Sequence, residues 1–164
     1  MTDTGECAEK RFAVDVMLGK LAKWLRLLGF DTRISLFSDR ERVESFLSEG
    51  LVPVTRREKF QKIEGVLFIS GDHHFEQLKE LLSKLRLDES CLRLFSRCMV
   101  CNARLDPITR EAAFGAVPDF VFETASDFGR CPQCERVYWP GTHKGRMLEK
   151  LSTVTEWKLK PEEG

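Results

Sequence analysis

Two cysteine pairs, Cys98-Met-Val-Cys101 and Cys131-Pro-Gln-Cys134, constrain this chain more than any other feature. A CxxC turn folds two thiolates toward one point, and two such turns complete a closed tetrahedron of sulfur around one ion. The spacer between Cys101 and Cys131 is longer than in a compact finger, yet it can hold a hairpin and a connecting helix, as in a zinc ribbon. All four ligand positions are sulfur, which leaves none open for water, so the expected zinc site is structural. Iron would satisfy the same ligands. The competing readings are four buried cysteines or a thiol redox pair. His143 follows Cys134 closely enough to be a ligand in principle, but beside four thiolates it reads as a surface or substrate-facing residue. Cys7 and Cys91 stand alone and are expected to be unligated thiols.

The redox setting bears on that choice. No apolar run approaches the roughly 20 residues of a membrane-spanning helix. The stretch from Met1 to Arg11 is polar and mixed in charge, unlike a secretion segment. The expected compartment is the cytoplasm, where paired cysteines bind metal more readily than they form disulfides. The 164 residues are 42% hydrophobic and 32% charged, a globular balance. Twenty-six basic residues cancel twenty-six acidic ones, so affinity for a polyanion must come from a local patch.

The first part of the chain alternates strand-like and helical patterns. Phe12–Asp15 is a short apolar run ending in an acid. Leu18, Leu21, Leu25 and Leu28 then recur at helical spacing, with Gly29 as a stop. Thr32–Phe37 reads as an alternating strand carrying Ile34 and Leu36. Ser38-Asp39-Arg40-Glu41 fits a capping box for a helix that buries Val43, Phe46 and Leu47 and ends at Gly50. Leu51–Thr55 reads as a strand that Pro53 places near an edge. Val66–Ile69 is a further strand, and Asp72 is a candidate cap for the helix carrying Phe75, Leu78, Leu81, Leu82 and Leu85. This alternation predicts an α/β domain over residues 1–96, with a parallel sheet flanked by helices. From residue 97 the strands shorten and prolines recur, predicting a zinc ribbon over 97–150 and a polar tail over 151–164.

In a parallel sheet, ligands gather at the carboxyl ends of the strands. Asp15, Asp39, Glu58 and Asp72 all fall there, and converging carboxylates could hold Mg²⁺ or Mn²⁺ to activate a water on a phosphodiester. Helix capping suits Asp39 and Asp72 and a solvated first turn suits Glu58, and taken one acid at a time these common roles are the stronger account. Between Lys20 and Lys62, ten basic residues, among them Lys20, Lys23, Arg26 and Arg56, face six acidic ones. A surplus of that kind can hold a phosphate backbone, and a solvated helix face is the plainer account.

The run Phe12-Ala-Val-Asp15-Val-Met-Leu-Gly-Lys-Leu-Ala-Lys-Trp-Leu-Arg-Leu-Leu-Gly-Phe-Asp31 resembles the opening of the Mut-seven C-terminal ribonuclease domain. Glu76-Gln77-Leu78, Arg97-Cys-Met-Val-Cys-Asn102-Ala-Arg-Leu105, Val117-Pro118 and Cys131-Pro-Gln-Cys134-Glu-Arg-Val-Tyr-Trp139-Pro-Gly-Thr-His143 continue the likeness over roughly Arg11 to Leu148. The resemblance implies a PIN-like nuclease fold with a C-terminal zinc ribbon and metal-dependent ribonuclease activity. Asp15 takes the place of the first PIN-like acid, and Asp39 that of the acid opening the second helix. The chain departs from the pattern at Thr55-Arg56-Arg57-Glu58, where the family carries Thr-Arg-Asp.

Three readings follow. The first is a ribonuclease using Asp15, Asp39, Asp72 and Glu58 with Mg²⁺ or Mn²⁺, whose ribbon helps hold RNA through Arg104, Arg136, Trp139 and His143. The second is a catalytically impaired RNA-binding protein. The third is a structural or protein-interaction module. Arg57 paired with the acids favours the second, because its fixed charge replaces a cation.

Overall fold

A computed structural model describes residues 10–140, 142–157 and 159, without the side chains of Thr142 and His143. The chain divides into two compact units between Asn102 and Ala103. No helix among the described residues is long and apolar enough to cross a membrane.

In the first unit, β1 (Arg11–Asp15) leads through a single 3-10 turn into α1 (Gly19–Leu27). Then follow β2 (Asp31–Ser35), α2 (Arg40–Ser48), β3 (Val52–Thr55), a 3-10 turn at Glu58–Phe60, β4 (Leu67–Phe68) and α3 (His74–Lys84). All four strands are parallel, in the order β2-β1-β3-β4. Helices connecting parallel strands return the chain to the same starting edge, so every strand points its carboxyl end the same way. Phe12, Ala13 and Val14 of β1 are fully buried. Because side chains alternate across the sheet, Ala13 joins Phe37, Val43, Phe46 and Phe60 on one face. Phe12, on the other face, meets Phe30 edge to face at 5.5 Å. Trp24 of α1 packs against Phe75 of α3 at 5.1 Å.

Several local expectations shift. Pro53 lies in β3, an interior strand, but β4 begins only opposite Val54, so β3 has no neighbour on that side at the proline. Ile34 and Leu36 are exposed, because β2 is an edge strand that ends at Ser35. Asp39 rather than Ser38 caps α2, accepting from the Arg42 N–H at 2.8 Å. His73 rather than Asp72 caps α3, its Nδ1 accepting from the Phe75 N–H at 3.2 Å, with Glu76 closing the capping box. Gly29 stops α1 at φ +100°, where a Cβ would collide with the Arg93 carbonyl. Cys91 is buried and disulfide-bonded, not an unligated thiol. Cys7 lies outside the described residues.

The second unit contains β5 (Asp106–Ile108), α4 (Arg110–Ala113), α5 (Asp119–Thr124), β6 (Phe128–Arg130), β7 (Val137–Tyr138) and α6 (Thr142–Thr155). Its sheet is antiparallel in the order β5-β6-β7. Ala113, Val117, Val121 and Phe128 form its small core. Helix α6 buries Leu148 and Leu151.

Candidate functional site

The carboxyl edge of the parallel sheet holds a buried acid with an internal cation. Asp15 ends β1, is fully buried, and lies one step beyond the Val14–Val54 pair, which sets Thr55 beside it. The Thr55 hydroxyl donates to Asp15 Oδ2 at 2.8 Å. Arg57 Nε donates to the same oxygen at 2.9 Å, and the Arg57 backbone N–H donates to Thr55 Oγ1 at 3.0 Å. Asp15 Oδ1 is buried and has no hydrogen-bond partner among the described residues. Buried polar atoms are rarely left so, because each costs about 1–3 kcal/mol when unpaired.

The other predicted acids occupy separate places. Asp72 is exposed and accepts from Arg56 Nη2 at 2.5 Å. Asp39 is exposed and caps α2, and its carboxyl is held below the usual range by the Arg42 N–H and then the Ser38 hydroxyl. Glu58 is exposed in the turn it opens. Among the described residues, these four acids form no group of three that could share an ion.

Two further side chains shape this edge. Glu80 accepts from the Ser70 N–H at 3.0 Å, the Ser70 hydroxyl at 3.0 Å and the Gly71 N–H at 3.1 Å, and pairs with Lys84 at 2.9 Å. Its partial burial pushes the carboxyl up, but Lys84 and those donors outweigh it and lower the pKa to about 2. Buried Gln77 donates to the Gly71 and Asp72 carbonyls at 3.0 and 3.4 Å. The Glu76-Gln77 motif therefore serves the loop that carries Asp72. Glu80 left no sequence signal beyond its place on a helix.

The four paired cysteines come together, with ligand atoms all within 4.8 Å of one another, and none is in a disulfide. The two turns repeat one geometry. The Cys101 N–H donates to Cys98 Sγ at 3.3 Å, and the Cys134 N–H to Cys131 Sγ at 3.5 Å. The Asn102 N–H reaches the Cys98 carbonyl and the Glu135 N–H the Cys131 carbonyl, both at 2.9 Å, with φ at +69° and +63°. Sulfurs around a tetrahedral zinc, with Zn–S of about 2.3 Å, lie about 3.8 Å apart, so the donor set fits a metal ion such as zinc.

The Cys98–Cys101 turn is anchored from behind. Arg26 is 7% exposed, and its Nη1 donates to the Met99 and Val100 carbonyls, each at 3.0 Å, while Nε donates to the Thr32 carbonyl at 3.0 Å. Asn102 accepts from the Thr32 N–H at 2.9 Å and donates to Asp31 at 2.6 Å. Arg26 was expected to face RNA. Its guanidinium is instead spent on backbone carbonyls, which the periodicity of α1 could not reveal. Lys20 and Lys23 are exposed on α1, and Arg104, Arg136 and Trp139 are exposed in the second unit. The His143 side chain lies outside the described residues.

The family model described as the Mut7-C RNAse domain matches residues 10–151. No curated protein and no solved structure matches the chain.

Proposed function

The chain belongs to the Mut7-C RNAse domain family, and from that membership we propose that it is an RNA-binding protein on a PIN-like nuclease fold, its acid site neutralised by Arg57. One observation carries this reading: Arg57 Nε lies 2.9 Å from Asp15 Oδ2. A guanidinium stays charged at working pH and cannot ligate a metal. It would repel a cation a few ångströms away by on the order of 1–4 kcal/mol per unit charge near the surface. One carboxylate beside an arginine is not the donor set of a Mg²⁺ or Mn²⁺ site, and among the described residues Asp39, Glu58 and Asp72 complete no group of three ligands with Asp15. The exposed Lys20 and Lys23 and the half-buried Arg56 are the phosphate contacts in this reading. The Arg56–Asp72 pair is solvent-exposed on the acid side, so exchanging that carboxylate for a phosphate costs little. Zinc on Cys98, Cys101, Cys131 and Cys134 is structural.

A second reading, a metal-dependent ribonuclease, is favoured by the unpartnered Asp15 Oδ1, an oxygen a cation could use once Arg57 swings outward. A cleavage assay on mixed single-stranded and structured RNA, with added Mn²⁺, separates the two. Salt-dependent RNA binding by the wild type with background cleavage, and metal-dependent cleavage appearing in Arg57→Asp, supports the neutralised site. Cleavage by the wild type that Asp15→Asn abolishes replaces it with the ribonuclease.

A further inference from the structure

The edge of the parallel sheet is finished by the cysteine turn at Cys98–Cys101. In β2, alternate residues aim their N–H and C=O groups away from β1, where no further strand pairs among the described residues. At the fully buried Thr32, two side chains take the place of that strand. Asn102 Oδ1 accepts from the Thr32 N–H at 2.9 Å, and Arg26 Nε donates to the Thr32 carbonyl at 3.0 Å. We propose that Asn102 and Arg26 couple β2 to the metal, so that the Cys98–Cys101 turn caps the sheet edge when metal is bound and releases it when metal is lost. The inference is independent of whether the chain cleaves RNA or only binds it.

Both residues grip the turn as well as the strand. Arg26 Nη1 donates to the Met99 and Val100 carbonyls, each at 3.0 Å. The Asn102 N–H donates to the Cys98 carbonyl at 2.9 Å, with Asn102 at φ +69°. Arg97 Nη1 donates to the Asn102 carbonyl at 3.0 Å, and its Nε to the Gly29 carbonyl at 3.1 Å. All of these groups belong to the first unit, which ends at Asn102. Burial does not hold the tip of the turn, since Val100 is 53% exposed. An ion on Cys98 and Cys101 therefore adds a large share of the turn's rigidity, and Arg26 and Asn102 pass it to Thr32.

Linkage makes this coupling reciprocal. Whatever the metal adds to the edge contacts, the edge contacts add to metal affinity. A turn that served the metal alone would leave Thr32 indifferent to it.

Hydrogen exchange read by NMR follows the Thr32 amide in the zinc-replete full chain, and again after a chelator removes zinc in the presence of reductant. Removal should speed Thr32 exchange about 5- to 150-fold, while amides of the interior strand β1 keep their protection. Zinc affinity, from competition with a chromogenic chelator, should fall about 5-fold or more in Asn102→Gly, which loses the carboxamide but tolerates the positive φ. Val14→Ala opens a core cavity without removing any of these bonds, so it should lower stability yet leave zinc affinity within about twofold. Thr32 protection that survives zinc removal overturns the coupling. Equal loss of protection in β1 also overturns it, because the metal would then hold the whole unit. Undiminished zinc affinity in a folded Asn102→Gly does the same, and the wild-type exchange decides alone if that variant does not fold.

Discussion

Arg57 reaches across the carboxyl edge of the sheet to donate its Nε–H to Asp15, a residue from another strand and fully buried. The Thr55 hydroxyl joins the same carboxylate oxygen, so one acid, one hydroxyl and one guanidinium form a closed arrangement. The second carboxylate oxygen has no hydrogen-bond partner among the described residues.

Removing Arg57 should therefore be costly. In Arg57→Ala a buried carboxylate loses its compensating charge, and fully buried pairs broken from one side lose about 3–5 kcal/mol. Arg57 is 32% exposed, so water softens the loss to about 1–3 kcal/mol. Urea denaturation of the variant, read as a shift in midpoint, measures it. The double variant Asp15→Asn/Arg57→Ala should recover part of that loss.

Thr55→Val keeps the shape of the strand but removes the hydroxyl that donates to Asp15 and accepts from the Arg57 N–H. The expected loss is about 1–3 kcal/mol, because the buried Asp15 carboxylate and the half-buried Arg57 N–H lose a partner together. A double-mutant cycle with Arg57→Ala should show a coupling above about 0.5 kcal/mol, as contacting residues do.

Glu80 predicts an acid-sensitive loop. Its folded pKa of about 2 lies below the ordinary value of 4.5, so its contribution is fully present above pH 4.5 and is lost as pH falls toward 2. Glu80→Gln should flatten the acid limb of stability between those values. The reading is the difference between wild-type and variant denaturation midpoints from pH 5 to pH 2, and parallel curves for the two proteins would refute it.

The cysteine cluster should retain one tightly bound zinc after purification, measured by elemental analysis. Cys101→Ser should lose it and lower the thermal midpoint, because a closed four-sulfur site contributes folding free energy directly. Arg26→Lys should keep the zinc but release it faster to a chromogenic chelator, by about 10- to 100-fold, since one ammonium cannot reproduce the bonds to Thr32, Met99 and Val100.

The sequence alone determined what local chemistry dictates. The CxxC spacing at Cys98–Cys101 and Cys131–Cys134 announced a metal cluster, because four thiols in two tight turns serve few other purposes. The leucine period from Leu18 to Leu28, followed by Gly29, marked α1. Strand and helix alternation carried the parallel sheet, and with it Asp15 at a strand end. Tertiary structure alone decided what each charged side chain meets. Arg26 and Lys23 sit on one helix and look equivalent in sequence, yet one is buried against the Met99 and Val100 carbonyls and the other is exposed. Arg57 could be recognised as a departure from a family pattern, but only the register of β1 against β3 brings it to Asp15. Asp39 and Asp72 looked like partners of Asp15 because all three follow parallel strands. One is spent on a helix cap and the other on Arg56. Charge pairing depends on distances through space, and those are set by packing between elements far apart in the chain.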